Sequence, residues 1–198
     1  MILIEDCGQV VGKHITKNRY WQSQNIEVLR HPLPVGDYTI ANEKILDVIK
    51  RKADRNIQTK KLDFLGTYTV SVDTKKDIQE LIGDICGKQH ARFRDECILA
   101  QNNGIQLYIL VENLDGIKET RDLFKWQNPR MHRYNKINYM HRLGKWNDIP
   151  TPKAPPTSGE VLAKSCLTME LKYGVHFLFC KPNESGAKVI ELLEKGIE

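Results

Sequence analysis

"TVSVDTKKDIQEL", from Thr69 to Leu81, decides the fold. Its first half is built of Thr, Val and Ser, and the β-branched residues favour a pleated, half-buried surface. Its second half leads into Ile78, Leu81, Ile82 and Ile85, which recur at helical spacing. A strand therefore runs into a helix, and the joint between them is charged: Asp73, Thr74, Lys75. Alternation along a strand sends Asp73 and Lys75 to the same side of the sheet. A carboxylate and an ammonium are thus delivered to one place.

Working outward, "KILDVIKRKADRN" (Lys44 to Asn56) reads as a further strand. Before it, "IEVLRHPLPVGDYTI" (Ile26 to Ile40) gives a strand near Ile26 to Arg30, a proline-broken turn, and a Gly36-Asp37 step into another extended piece. "MILIED" is a short first strand, followed by a loosely helical stretch, "KHITKNRYWQSQN". On the other side, Phe93, Cys97 and Ile98 prolong the helix towards Ala100, and Asn102, Asn103 and Gly104 stop it. "IQLYILVEN" is apolar without clean alternation, as a central strand covered on both faces should be. Residues 114–148 form a basic, aromatic insertion, and 149–158 a proline-rich linker. A helix (Glu160 to Tyr173), the strand "VHFLFC" and a closing helix (Glu184 to Glu194) complete the chain. Strands alternating with helices predict the α/β class, a sheet with helices on its faces.

The chain has 198 residues, a length that suits one domain over 1–198. A net charge of +5 fits a nucleic-acid partner without requiring one. Five cysteines, odd in number and without a CxxC pair, argue against a disulfide framework and a structural zinc site, and read as core thiols of an intracellular, cytoplasmic protein. No apolar run approaches a membrane span, and "MILIE" runs into charge without a signal-peptide core.

Gly36-Asp37 offers a second carboxylate. Two close carboxylates repel each other and raise one pKa, whereas Mg²⁺ or Mn²⁺ turns the same pair into an oxygen-ligand site. Beside such a site a lysine can orient an attacking water or stabilise charge on a phosphate. Asp37 followed by Asp73-Thr74-Lys75 resembles the D…(D/E)xK signature of the restriction-enzyme-like nuclease superfamily. More narrowly, "LIED", "VGDYTI", "VDTKKDIQEL" and "HARFRDECILAQNNGIQLYILVEN" resemble, in their order, the XPF-type nuclease domain of DNA-repair endonucleases and of stand-alone phage or prophage proteins.

The resemblance implies a restriction-endonuclease-like fold, with a central mixed sheet flanked by helices. It also implies a Mg²⁺- or Mn²⁺-dependent DNA endonuclease, with branched DNA (flap, fork or junction) as the family substrate and repair, recombination or phage DNA processing as its setting, in a bacterial or phage-infected cell. Residue by residue, Asp37 and Asp73 become catalytic metal ligands and Lys75 the catalytic lysine, Asp6 the first-strand acid of the metal site, and Glu80 or Asp77 the helix acid that helps hold metal or water, Glu80 counted with the metal residues and Asp77 as a supporting acid. DNA is the implied partner, with a homodimer as an option; no membrane and no small-molecule cofactor is expected. Lys88, His90, Arg92 and Arg94 after the helix start, and Arg130 and Arg133 in the insertion, are the expected DNA contacts.

Three departures bear on this. Thr74 stands where the family has arginine. The stretch between Asp37 and Asp73 is long, and contains a near-copy of the motif, "VIKRKAD" (Val48 to Asp54), in which Lys50 occupies the acidic position. No helix-hairpin-helix pair, which usually follows this nuclease in cellular enzymes, is read after the closing helix. Each residue also has a plainer reading: a lone DxK is commonly a surface ion pair, Asp6 a helix or loop cap, Glu80 a polar helix position, the basic cluster a solvated face, and the tryptophans a satellite core. The alternative functions are a catalytically silent DNA- or partner-binding subunit, and single-strand or RNA binding through the basic aromatic segment.

Overall fold

The computed structural model describes residues 1–10, 12 and 14–196. In chain order the elements are β1 (Ile2–Asp6), α1 (Ile15–Ser23), β2 (Glu27–His31), β3 (Tyr38–Ile40), α2 (Glu43–Asp54), β4 (Val70–Lys75), α3 (Ile78–Ile85), α4 (His90–Asn102), β5 (Gln106–Glu112), α5 (Pro129–Arg142), α6 (Gly159–Tyr173), β6 (His176–Cys180) and α7 (Ser185–Lys195). Short 3-10 turns cover Lys61–Phe64 and Thr120–Lys125.

The strands form one mixed sheet in the order β2-β1-β3-β4-β5-β6. Only β3 runs against the others: it is antiparallel to β1 and to β4, while β1/β2, β4/β5 and β5/β6 are parallel. The expected central mixed sheet flanked by helices is what the chain forms. Period-two alternation then divides the core. Ile4, Leu107, Ile109 and Val111 face one way, onto α2, α3, α4 and α6. Leu3, Val70, Val72 and Leu110 face the other, onto Trp21 of α1 and Val189, Ile190, Leu192 and Leu193 of α7. β5 is apolar through its centre, whereas β4, covered on both sides, buries a polar face made of Ser71, Asp73 and Lys75.

Three sequence expectations need correcting. Of the cysteines read as core thiols, Cys97, Cys166 and Cys180 are buried, but Cys7, just after β1, and Cys86, at the end of α3, are exposed. "KILDVIKRKADRN" is helix α2, not a strand. Ile45, Val48 and Ile49 made it look β-like, but their 3-4 spacing forms an apolar stripe, with Ile45 and Val48 buried. Asn42 caps the helix by accepting the Ile45 N–H at 3.0 Å. Tertiary burial of one stripe outweighs weak residue preference. The single long helix expected from Asp77 to Ala100 is two helices, α3 and α4, parted at Gly87. There the backbones approach so closely that a Cβ on Gly87 would lie 2.6 Å from the Gly83 carbonyl oxygen.

Candidate active site

The Gly36-Asp37 step is shaped by β4. Gly36 has φ +71°, and a Cβ there would stand 2.1 Å from Ser71 Oγ. Ser71 in turn donates to the carbonyls of Val35 (2.9 Å) or Tyr38 (3.0 Å), and the Asp37 N–H donates to the Val72 carbonyl at 2.9 Å. Only glycine satisfies both the backbone angle and the close approach. Gly36→Ala is accordingly expected to destabilise the fold by about 2 kcal/mol or more, read as a lower urea midpoint at unchanged m-value. A neutral result would show that the step is not held against β4 as described.

This pairing turns Asp37 towards the C-terminal end of β4. Its Oδ2 accepts both the N–H and the hydroxyl of Thr74, each at 2.8 Å, and Gln9 Nε2 donates to Oδ1. The residue standing at the family's arginine therefore positions the first carboxylate. Asp73 and Lys75 point to the α3/α4 side of the sheet, where Lys75 Nζ lies 2.7 Å from Asp73 Oδ2 and 2.7 Å from Asp84 Oδ2. Lys75 also lies over the Phe93 ring, 5.2 Å from its centroid. Arg92 approaches Asp84 from the surface at 3.8 Å. Glu96, on α4, accepts the Gly36 N–H at 2.8 Å.

Asp37, Asp73, Lys75, Asp84, Arg92 and Glu96 all line one cleft of about 600 Å³. Burial and mutual repulsion govern its charge states. Burial raises Asp73 most, with Asp37 and Asp84 adding to it against Lys75, to about 7. Asp37 is raised, by burial first and then against the pull of Lys75 and Thr74. Glu96 is likewise raised by burial and by Asp73. Burial alone pulls the Lys75 ammonium down, but Asp73 and Asp84 outweigh it and hold its pKa above the ordinary value. The cleft thus crowds four carboxylates around one buried ammonium.

Such a cluster suits a hard divalent cation. All the donors are oxygens, as Mg²⁺ or Mn²⁺ requires. Asp73 Oδ2 has only the Lys75 ion pair and receives no well-directed hydrogen bond from the described residues. Among the described residues no group of three or more His, Cys, Asp and Glu side chains is arranged to hold a metal ion by itself. The donor set nonetheless fits an open site completed by water and phosphate oxygens, the usual arrangement for Mg²⁺.

The other predicted residues separate. Asp6 lines the cleft, and its Oδ1 accepts the Leu33 N–H at 2.9 Å. Glu80 also lines it, accepting the Lys76 N–H at 2.8 Å. Asp77 does not; it is the N-cap of α3, accepting the Glu80 N–H at 2.7 Å. Arg92 is the one member of the Lys88, His90, Arg92, Arg94 cluster that lines the cleft, while Arg94 pairs with Asp95 at 2.8 Å. Arg130 and Arg133 lie on α5, outside it. The near-copy residues Arg51, Lys52 and Asp54 sit on α2, where Arg51 pairs with Asp47 and Lys52 with Asp63, each at 2.9 Å. Sequence reading missed Asp84 and Glu96. Their signal was an acid inside an apolar helical stripe: Asp84 three residues after Leu81, Glu96 three after Phe93.

The sheet order, helix placement and strand-end acidic cleft define a restriction-endonuclease-like fold. The ERCC4 domain family matches residues 10–193. The chain belongs to that family, that of the XPF-type nuclease domains. Among solved structures it is similar to XPF from Aeropyrum pernix in complex with DNA, with a TM-score of 0.52 and 12% identity. That likeness covers 99% of this chain, which spans 64% of that structure's chain. No curated protein matches this chain in sequence.

Proposed function

We propose that this protein is a DNA endonuclease of the XPF kind, hydrolysing a phosphodiester in the cleft between β4 and helices α3 and α4. The observation that carries the reading is Lys75, held between Asp73 and Asp84 at 2.7 Å each, in the same cleft as Asp37 and Glu96. Asp37 and Asp73 would hold Mg²⁺ or Mn²⁺, with water and phosphate oxygens completing the shell and Asp6, Glu80 and Glu96 lining the same cleft. When bound, the ion polarises the phosphoryl oxygen and lowers the pKa of a coordinated water.

The chain's own groups do the rest. Lys75 is kept protonated by its two carboxylates, so it enters the reaction as a hydrogen-bond donor and a fixed positive charge. It is suited to hold the attacking water or the developing negative charge of the phosphate, and unsuited to act as a general base. Thr74 fixes Asp37, and the Gly36 N–H fixes Glu96. Arg92, at the surface side of Asp84, is placed to meet the DNA backbone. DNA as the partner is favoured by the likeness to an XPF solved in complex with DNA. Selectivity for flaps, forks or junctions belongs to the same proposal, and so does one nuclease domain spanning 1–198.

The test is cleavage of labelled duplex, single strand, flap, fork and four-way junction with Mg²⁺, Mn²⁺ or EDTA. Cutting that needs the metal and is lost in Asp37→Asn is expected. Cutting that persists in EDTA would sink the metal-dependent reading. DNA binding without any cutting would instead assign the chain to the silent-subunit class.

A further inference from the structure

Residues 123–147 contain six Lys and Arg and not one Asp or Glu, so the rest of the chain carries 24 Lys and Arg against 25 Asp and Glu. The whole positive excess of the protein is therefore concentrated in this segment. Its centre is α5, where Arg130, Arg133, Lys136 and Arg142 are exposed, and none has a carboxylate within ion-pair distance among the described residues. Leaving cations of one sign together without counter-ions costs self-repulsion, and a polyanion relieves it.

The helix is also anchored beside the cleft. Asn128 caps it by accepting the Arg130 N–H at 3.1 Å. The same oxygen receives Gln79 Nε2 of α3 at 3.0 Å, and Gln79 is the neighbour of Glu80 in the cleft wall. The proline-rich segment folds back along α5, tied by His141 to Thr151 Oγ1 at 2.8 Å and to the Trp146 carbonyl at 2.9 Å. Between helix and segment runs a groove of about 410 Å³ whose walls are Tyr134, Ile137, Ile149, Pro150 and Pro152, with Arg130 and Arg133 among its lining residues.

An apolar groove beside two arginines has the chemistry of an unpaired nucleotide: a face for the base and cations for its phosphates. A duplex hides its base faces in the stack and could use only the cations. We infer that the α5 groove binds a single-stranded segment of the DNA substrate, with bases against Tyr134, Ile137 and the prolines and phosphates on Arg130 and Arg133. The choice of DNA rests on the nuclease reading of the cleft. The groove would then hold the strand of a branched substrate that leaves the duplex near the scissile phosphate.

The experiment is fluorescence anisotropy in EDTA, where nothing is cut by the proposed reaction. It uses a labelled oligothymidylate of about 15 nucleotides and a hairpin duplex of equal charge. Wild type is compared with Arg130→Ala/Arg133→Ala and Tyr134→Leu, each checked for an unchanged melting temperature. The double variant is expected to bind the single strand about tenfold or more weakly and to lower the slope of log Kobs against log salt by about 1.4, or 0.7 per lost cation. Tyr134→Leu is expected to weaken single-strand binding with the slope unchanged and to change duplex binding less than about threefold, while the double variant is expected to weaken the duplex, which can use only the cations, less than the single strand. Equal losses for duplex and single strand, or an unaltered slope, would overturn the inference. So would a wild type that ignores the oligonucleotide but self-associates through the groove. A wild type that shows this binding pattern yet cuts nothing with Mg²⁺ or Mn²⁺ overturns the nuclease reading and leaves the groove assignment standing.

Discussion

Lys75→Met should lose both activity and stability. The substitution keeps an unbranched stem beside Phe93 and removes only the ammonium, so the effect isolates charge. In the wild type Asp73 and Asp84 hold Lys75 protonated despite its burial, which means that the folded state favours the charged lysine. Removing it leaves Asp37, Asp73, Asp84 and Glu96 in one cleft, and among the described residues the one other cation within ion-pair distance of any of them is Arg92, 3.8 Å from Asp84 at the surface side. Breaking a buried pair in this way costs about 3–5 kcal/mol, which for a chain of this size lowers the melting temperature by roughly 6–20 °C. Cleavage should fall by about a hundred- to a thousandfold, the loss typical when one donor to a developing oxyanion is removed. A variant that melts as the wild type does would show that Lys75 does not neutralise the cleft. One that cuts normally would remove it from the chemistry.

The opposite combination is expected of Asp73→Asn, which should abolish cleavage and stabilise the metal-free protein. Asn mimics the protonated acid, and the raised pKa of Asp73 shows that the folded state prefers that form, the lysine notwithstanding. Lys75 keeps its 2.7 Å contact with Asp84. A gain of about 1–2 kcal/mol is in the range seen when a functional site is relieved of strain. The pH dependence has a definite sign. The folded-state pKa of about 7 lies above the ordinary 3.8, so the contribution of Asp73 is fully present below pH 3.8 and is lost as pH rises through 7. In chelator, the stability advantage of Asp73→Asn over wild type should therefore be small near pH 4 and grow up to about pH 8. Mg²⁺ should raise the wild-type melting temperature, through preferential binding to the folded state, and leave that of Asp73→Asn nearly unmoved. A less stable Asp73→Asn at pH 8 would reverse the account of the cleft's electrostatics.

These two residues were legible in the sequence because a strand and a helix met at them. The alternation of "TVSVDTK" placed Asp73 and Lys75 on one face, and the apolar stripe after Asp77 marked where the chain turns into α3. The meeting of Asp37 with β4 was legible only through the resemblance, because it depends on long-range pairing: the one registered pair, Tyr38 with Val72, spans a helix and a 3-10 turn. α2 was hidden by its β-branched residues, whose spacing, not identity, carried the information. Asp84 and Glu96 were passed over because each stands where an apolar residue is expected, which is the property that buries Asp84 beside Lys75 and turns the half-buried Glu96 into the cleft.

The contact between the first and last helices sets how late this chain commits to its structure. Trp21 of α1 is fully buried, packs edge-on against Tyr38 at 5.1 Å, and donates its indole N–H to the Gly186 carbonyl at 2.9 Å, across 165 residues of chain. Gly186 lets the two helices pack closely, since a Cβ there would stand 3.0 Å from the Tyr20 ring and the ring would have to shift by a few tenths of an ångström. Until α7 has been synthesised, one face of the sheet stays wet and Trp21 has no acceptor. Closing so long a loop is slow and entropically expensive. A nascent chain arrested before Ser185 should therefore expose this face to chaperones and proteases, and the blue shift of Trp21 fluorescence should be the last optical change as the molecule folds.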